Sequence, residues 1–521
     1  MWAEMVLSNG KVVTMNPSQP SAQAVAVKNG EILAVGLDTE IKPLIGEKTK
    51  IIDLRGRIVL PGFIDTHIHV TGFGRSLAPI DLRDVNSIEE LQKRLAEQVQ
   101  KLPKGRWITG RGWDQERFAE ERYPTHWDLD EASPDNPVVF TRVCGHMCVT
   151  NSKALQIAKI ARQMIPPPWG QIDKDAETGE PTGILRENAM NLVLNLVPPP
   201  SEEELVEACG SACQKAAKAG LTSVHWIINS TNEIRAINEL RRRDELFVRV
   251  YILVPSELLA QLTGLGLYTG FGDAFVRIGS LKVFADGSLG ARTAALRESY
   301  HDEPTTKGLM HYSQEEMNAL VLKAHTAGLQ LAMHAIGDRA IDMVLTALEN
   351  ALVEAPREGH RHRIEHASVL NEDLISRMKR ANVIASVQPH FIVSDFWVVD
   401  RVGANRTRWV YPFRSLVDEG ITVTGGSDYP VEPMDPLLGI WAAVARGAFP
   451  EEQLTVDEAL QLYTSNAAFA SFEDSAKGSI ERGKLADLVI LSRDPHEVPP
   501  EDIKDIDVEM TILGGKVVYA K

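Results

Sequence analysis

The chain is poor in cysteine, in positive charge and in long apolar runs. It has only 4 cysteines in 521 residues, at Cys144, Cys148, Cys209 and Cys213. These form two C-x-x-x-C pairs with no histidine cluster beside them. A structural zinc site uses closer pairs, so these read as thiols in a reduced compartment. Lys and Arg number 55 against 71 Asp and Glu, a net charge of -16. That balance argues against a nucleic-acid or anionic-membrane partner. No run is long and apolar enough to span a bilayer. Met1 to Val6 shows no basic region followed by an apolar stretch, so the expected location is cytoplasmic.

What is present is ordinary globular material, 44% hydrophobic and 24% charged. Residues 3–55 alternate and turn often, and Asn9-Gly10 and Asn29-Gly30 between apolar runs predict hairpins. A matching fragment closes the chain: Ala486 to Leu491, Val508 to Leu513, Gly514-Gly515, then Lys516 to Tyr519. The two ends, 1–57 and 475–521, read as halves of one β-sandwich with everything else inserted between them.

The apolar run Arg57 to Leu60 leads into Pro61-Gly62-Phe63-Ile64-Asp65-Thr66-His67-Ile68-His69 and reads as a buried strand. From about residue 203 helix and strand alternate, with helices at 203–219 and 231–244. Strands follow at Thr222–Ile227, Val248–Leu253, Ile278–Asp286, Leu329–Ile336, Arg363–Ala367, Val383–Gln388 and Ile421–Gly425. With the opening strand this makes eight, which predicts a (β/α)₈ TIM barrel over 58–474. Active sites in that fold sit at the C-terminal strand ends. Residues 70–210 break the alternation and read as an inserted α+β subdomain that covers substrate. The insertion holds a helix, Ile88 to Val99, with Ser87 as N-cap and Glu90 at the capping-box position.

The chemistry-bearing residues fall at those strand ends. Side chains alternate along a strand, so Asp65, His67 and His69 point one way. The fourth strand carries Lys282, rare in a buried strand unless paired or modified. The fifth ends in His334, the sixth in His366 and the eighth just before Asp428. Each has a plain alternative: a hydrogen-bonded core histidine, a Lys282–Asp286 pair, a helix cap at Asp428. Together they form a His, Lys and Asp set at one rim, which suits Zn, Fe, Mn or Ni. Trp113 and His146 in the insertion are candidate substrate contacts, as are Gly290 in the loop Gly287 to Gly290, His225 and His390. His360 and His362 read as loop residues, and Asp338 as a helix cap or a partner orienting a ligand histidine.

These pieces resemble the amidohydrolase superfamily, specifically its YtcJ-like branch, which includes N-substituted formamide deformylases. The resemblance rests on the Pro61 to His69 stretch, Leu281 to Ala294, His334 to Asp338, Arg363 to Ala367 and Ser427 to Val431. Gly183 to Glu187 and Gly483 to Val489 match as well, so it covers essentially the whole chain. It implies that His67, His69 and Asp428 hold one metal and His334 and His366 a second. Lys282, carboxylated by carbon dioxide, would bridge the two. It further implies hydrolysis of a C–N bond, in an amide or N-acyl substrate, by a metal-activated hydroxide. Asp428 would take the proton of the attacking water and pass it to the leaving nitrogen. Two rivals stand beside this expectation. One is a mononuclear deaminase or cyclic-amide hydrolase on the same scaffold. The other is a non-catalytic, metal-stabilised binding or regulatory protein. The expected partner is a small-molecule substrate, and a homodimer follows from base rates alone.

Overall fold

The computed structural model describes residues 2–71 and 80–521. Met1, and the 72–79 part of the predicted insertion, lie outside the described residues. Eight parallel strands form one sheet in sequence order. They are Phe63–Ile68, Leu221–Ile227, Arg249–Pro255, Val276–Phe284, Gln330–Ala335, Arg363–His366, Ile384–Val387 and Val423–Gly425. The first and last strands are joined beyond their ends: Asp428 N–H donates to the His67 carbonyl at 2.7 Å and His69 N–H to that of Tyr429 at 2.8 Å. The helices 203–219 and 231–244 appear as Glu202–Lys218 and Thr231–Arg242, and they pack on each other outside the strands. This is the (β/α)₈ barrel that the alternation predicts.

The strand read from Arg57 to His69 is two strands. Ile58–Pro61 pairs with Leu488–Leu491 in a terminal sheet, and the barrel strand begins at Phe63. The break falls at Gly62, where an added Cβ would stand 2.2 Å from the Thr222 side chain. Only glycine lets the chain pass that close to the second barrel strand.

Both chain ends build two further sheets, one of four strands and one of six. Asn29-Gly30 makes the expected hairpin between Ala24–Lys28 and Glu31–Gly36, with both residues at positive φ. Asn9-Gly10 does not. The strand before it, Met5–Ser8, pairs with Ala24–Lys28 and, in parallel, with Lys50–Asp53. The strand after it, Lys11–Val13, enters the other sheet beside Ile58–Pro61. Packing decides here: Gly10 lies against Leu54, whose Cδ1 would be 2.4 Å from an added Cβ. The turn therefore carries the chain between sheets, and the terminal unit mixes parallel and antiparallel pairs.

The insertion forms a six-stranded sheet of its own. Its helix Ile88–Val99 starts as predicted, with the Ser87 hydroxyl accepting from Glu90 N–H at 3.0 Å; the Glu90 carboxylate caps Asn86 N–H instead of Ser87. Among the described residues no helix is long and apolar enough to cross a membrane. All four cysteines are free.

His360 and His362 lie, as read, in the loop before the sixth barrel strand, but that loop is packed. Both are buried, 4% and 0% exposed. His360 donates from Nε2 to the Ala381 carbonyl and accepts at Nδ1 from His362 N–H. His362 accepts at Nδ1 from Leu331 N–H, and its Nε2 meets His325 Nδ1 at 2.8 Å. Each ring spends one nitrogen as an acceptor, so the neutral form fits and the cation does not.

Two predictions follow from these contacts. Arg249 on the third barrel strand and Asp487 of the terminal sheet form a buried pair, with Arg249 Nε to Oδ2 at 2.6 Å and Nη2 to Oδ1 at 2.9 Å. Asp487→Ala leaves that guanidinium buried and unpaired, which costs about 3–5 kcal/mol; an unchanged denaturant midpoint would refute this. Burial drives the His360 pKa down to about 4. The unfolded chain then protonates first, so stability falls as pH drops from about 6.5 toward 4. His360→Gln should flatten that slope by about 1 kcal/mol per pH unit, read from unfolding midpoints at stepped pH.

Candidate metal centre

The C-terminal rim of the barrel gathers the residues that the sequence singles out. Candidate ligand atoms of His67, His69 and Asp428 lie within 4.8 Å of one another, and all three residues are buried. Asp428 Oδ1 stands 3.4 Å from Nε2 of both His67 and His69. The backbone helps to put it there: Asp428 sits at φ 52 and His366 at φ 74, both in the left-handed region. Such conformations cost of order 1 kcal/mol and persist where surrounding structure enforces them. Enforcement at Asp428 comes from Asp65, whose carboxylate accepts from the Ser427 N–H at 3.1 Å and from its hydroxyl at 2.5 Å. Asp65 thus anchors the eighth-strand exit and is not one of the grouped ligands.

His334 and His366 complete the cluster. Their ring centroids are 4.5 Å apart, and His366 lies 4.7 Å from His67. Lys282, 1% exposed, brings its Nζ to 3.4 Å from His67 Nε2. It does not pair with Asp286. That carboxylate accepts three backbone N–H groups instead, from Ala295, Ile336 and Gly337, at 2.8 to 3.0 Å.

His67, His334 and His366 each have one ring nitrogen held by a protein group. Glu365 holds His67 Nδ1, and Arg363 donates to the same carboxylate at 2.8 Å. The Gln388 side-chain oxygen lies 2.6 Å from His366 Nδ1, and His334 Nε2 donates to the Gly287 carbonyl at 2.9 Å. Partners of this kind set the tautomer and the aim of a metal-binding histidine. Sequence reasoning missed Glu365, Arg363 and Gln388 as site residues. Alternation puts Arg363 and Glu365 on one face and His366 on the other; the left-handed backbone at His366 turns its ring back over the barrel mouth.

The electrostatics suit a cation. Burial drives His334 and His366 well below the ordinary histidine range and His69 down to about 4, so they are neutral with lone pairs available. Burial also lowers Lys282 to about 8, which leaves roughly a tenth of it as free amine at pH 7. Burial would push Asp428 up, but the imidazoles beside it hold it well below the usual carboxylate range. Its Oδ1 is buried without a hydrogen-bond partner. A buried anionic oxygen facing two imidazole nitrogens is a donor set that a divalent transition metal fits.

A cavity of about 220 Å³ opens above this cluster. Its floor is His334, His366 and Asp428, its walls include Arg142, Cys144 and His146 from the insertion, and Gly290 lines it too. An added Cβ at Gly290 would meet Arg142 Nη1 at 2.4 Å, so the loop passes close to that guanidinium. Three expected substrate contacts lie elsewhere. Trp113 is fully buried in the core of the insertion, where its indole donates to the Phe140 carbonyl at 2.8 Å. Its size and apolar face suit that core better than a wet cavity. His225 is 0% exposed inside the barrel, its Nδ1 2.7 Å from an Arg363 nitrogen, because it stands mid-strand rather than at the strand end. His390 turns to Glu432, and it is Glu432 that lines the cavity. Asp338 accepts from Arg297 N–H at 2.9 Å and orients no ligand histidine among the described residues.

Comparison with known proteins agrees with this geometry. The family model described as "Amidohydrolase family" matches residues 50–519. The Bacillus subtilis (strain 168) protein named "Putative amidohydrolase YtcJ" is 36% identical, with 98% of each chain covered. The N-substituted formamide deformylase of Arthrobacter pascens is 29% identical over 99% of this chain and 98% of its own. An uncharacterized metal-dependent hydrolase from Pyrococcus furiosus superposes with a TM-score of 0.75 at 36% identity, covering 95% of this chain and 100% of its own. With its barrel, its rim of imidazoles and these relatives, the chain belongs to the amidohydrolase family, and it is a metal-dependent hydrolase of carbon–nitrogen bonds.

Proposed function

We propose that the chain hydrolyses an amide of the N-acyl or N-formyl type with a binuclear metal centre bridged by carboxylated Lys282. The observation that carries this reading is Lys282 itself: a buried lysine with a lowered pKa, 3.4 Å from a rim histidine. A neutral amine adds carbon dioxide, and the resulting carbamate is an anionic ligand with two oxygens. His67, His69 and Asp428 would hold one ion, and His334 and His366 the other. Zinc suits the donor set, and iron, manganese or nickel suit it as well. When bound, the metal supplies Lewis acidity, which lowers the pKa of a coordinated water from about 16 to roughly 7 and polarises the substrate carbonyl.

The protein's own groups do the rest. Asp428, held as a carboxylate by its imidazole neighbours, accepts the proton of the attacking water and delivers it to the leaving nitrogen. Glu365 and Gln388 keep His67 and His366 aimed at the rim through the cycle. The insertion walls the cavity and limits water. The Arthrobacter pascens relative, a formamide deformylase by name, supports a small acyl group on the substrate. The four free thiols support a reducing, cytoplasmic setting.

A second reading has an observation of its own. His67, His69 and Asp428 form, among the described His, Cys, Asp and Glu side chains, the one group of three at the mutual spacing of a single metal, and that trio by itself suits a mononuclear hydrolase with Lys282 unmodified.

Metal analysis separates the two. Protein purified without chelator should carry about two transition metals per chain, and Lys282→Ala about one, with partial rescue of rate by small carboxylates. Full metal content and full rate in Lys282→Ala would end the bridging role. Asp428→Ala should lower kcat by about 10²- to 10⁴-fold on an N-formyl amine while circular dichroism stays unchanged. Near-normal turnover in that variant would remove the proton shuttle.

A further inference from the structure

The inserted subdomain contributes more than a wall. His146 lines the cavity above the metal centre, and its ring lies 5.0 Å from that of His334. Its Nδ1 is engaged by Glu187 at 3.0 Å, which leaves Nε2 as the nitrogen available to the cavity. Glu187 reaches across to the barrel as well. The same carboxylate oxygen is 3.2 Å from His311 Nε2, and His311 Nδ1 donates to the Phe284 carbonyl at 3.1 Å, two residues beyond Lys282.

Glu187 is held under strain and left incomplete. Its backbone sits at φ 50, which disfavours any residue but glycine or asparagine. It is 8% exposed, and its second oxygen, Oε1, is buried without a hydrogen-bond partner. That oxygen lies where a Cβ on Gly287 would be, 2.1 Å from it, and Gly287 supplies the carbonyl that fixes His334. A residue serving only the insertion's own fold needs neither the strain nor the reach to the barrel.

We propose that His146 and Glu187 are the insertion's share of the active site. His146 contacts the substrate's amide beside the metal centre, and Glu187 is the positioning residue that holds it there. His311 ties the pair to the barrel. The amide as ligand rests on the function proposed above; the geometry of the pair does not.

Acetohydroxamate, which carries a carbonyl and an N–H as an amide does, is a suitable probe. Its affinity for zinc-loaded full-length protein is measured by calorimetry, beside kcat and KM on an N-formyl amine and metal content. His146→Ala and His146→Asn should weaken the probe by about tenfold and lower kcat by about 10²-fold, with metal content unchanged. Glu187→Ala should do the same, while Glu187→Gln, which keeps an acceptor for His146, should stay within about threefold of wild type. Probe affinity and turnover at wild-type level in His146→Ala would overturn the proposal. So would a parallel loss of metal, which would make His146 a ligand, or a wild type that does not bind the probe. A wild type that binds the probe with this ranking of variants yet hydrolyses no amide would remove the amide-hydrolase reading and leave the His146 contact standing.

Discussion

A carboxylate on the axis of a barrel has to be neutralised, and at Glu365 that requirement shapes the whole rim. Glu365 is 0% exposed. Burial alone would raise its pKa, but Arg363 and His67 hold it well below the ordinary range. An unpaired buried charge costs several kcal/mol, so the Arg363–Glu365–His67 chain stands or falls as a unit. Arg363 extends it to His225 and to the Thr66 carbonyl at 3.2 Å. The first, second and sixth strands are thereby locked in register from inside the barrel, and the His67 ring is aimed at the rim before any cation arrives.

The rest of the site builds on that register. Parallel strands set side by side place residues far apart in sequence at one height. Lys282 pairs with Ala332 and Phe284 with His334, so the lysine lies one layer below the fifth-strand histidine. Packing so many basic groups in a dry space disfavours their charged forms, and burial is the leading cause of the lowered pKa at His69, Lys282, His334 and His366. Neutral imidazoles, a lysine whose ammonium form is disfavoured and one ionised aspartate are a donor set that a cation would fit. The same arrangement without a cation leaves buried polar atoms unsatisfied, as Asp428 Oδ1 is.

The insertion supplies part of the cavity wall above the rim. Its strands Val138–Arg142 and Met147–Thr150 flank the short turn that carries Cys144 and His146 into the cavity. Its strand Pro181–Glu187 ends on the carboxylate that reaches the barrel.

Local pattern carried much of this protein. Two-residue and 3.6-residue periods, helix caps and Asn-Gly turns depend on neighbours in the chain, so the barrel alternation, the Ser87 cap and the Asn29 hairpin were legible. So was the rim position of His67, His69, His334, His366 and Asp428, with Lys282 one layer below, because strand ends are local features. What was not legible depends on partners remote in sequence. Glu365 meets His67 across 298 residues and Ser427 meets Asp65 across 362. Asn9-Gly10 carries the turn signature of Asn29-Gly30, yet Leu54 and the neighbouring sheet turned it into a crossing. Trp113, His225 and His390 fit a contact role by their place in the insertion or near strand ends, and packing gave each another task. The sequence by itself determined which faces are buried and which residues end the strands. Only the tertiary structure decided which buried charge meets which, because that depends on strand register and on the left-handed backbone at His366 and Asp428.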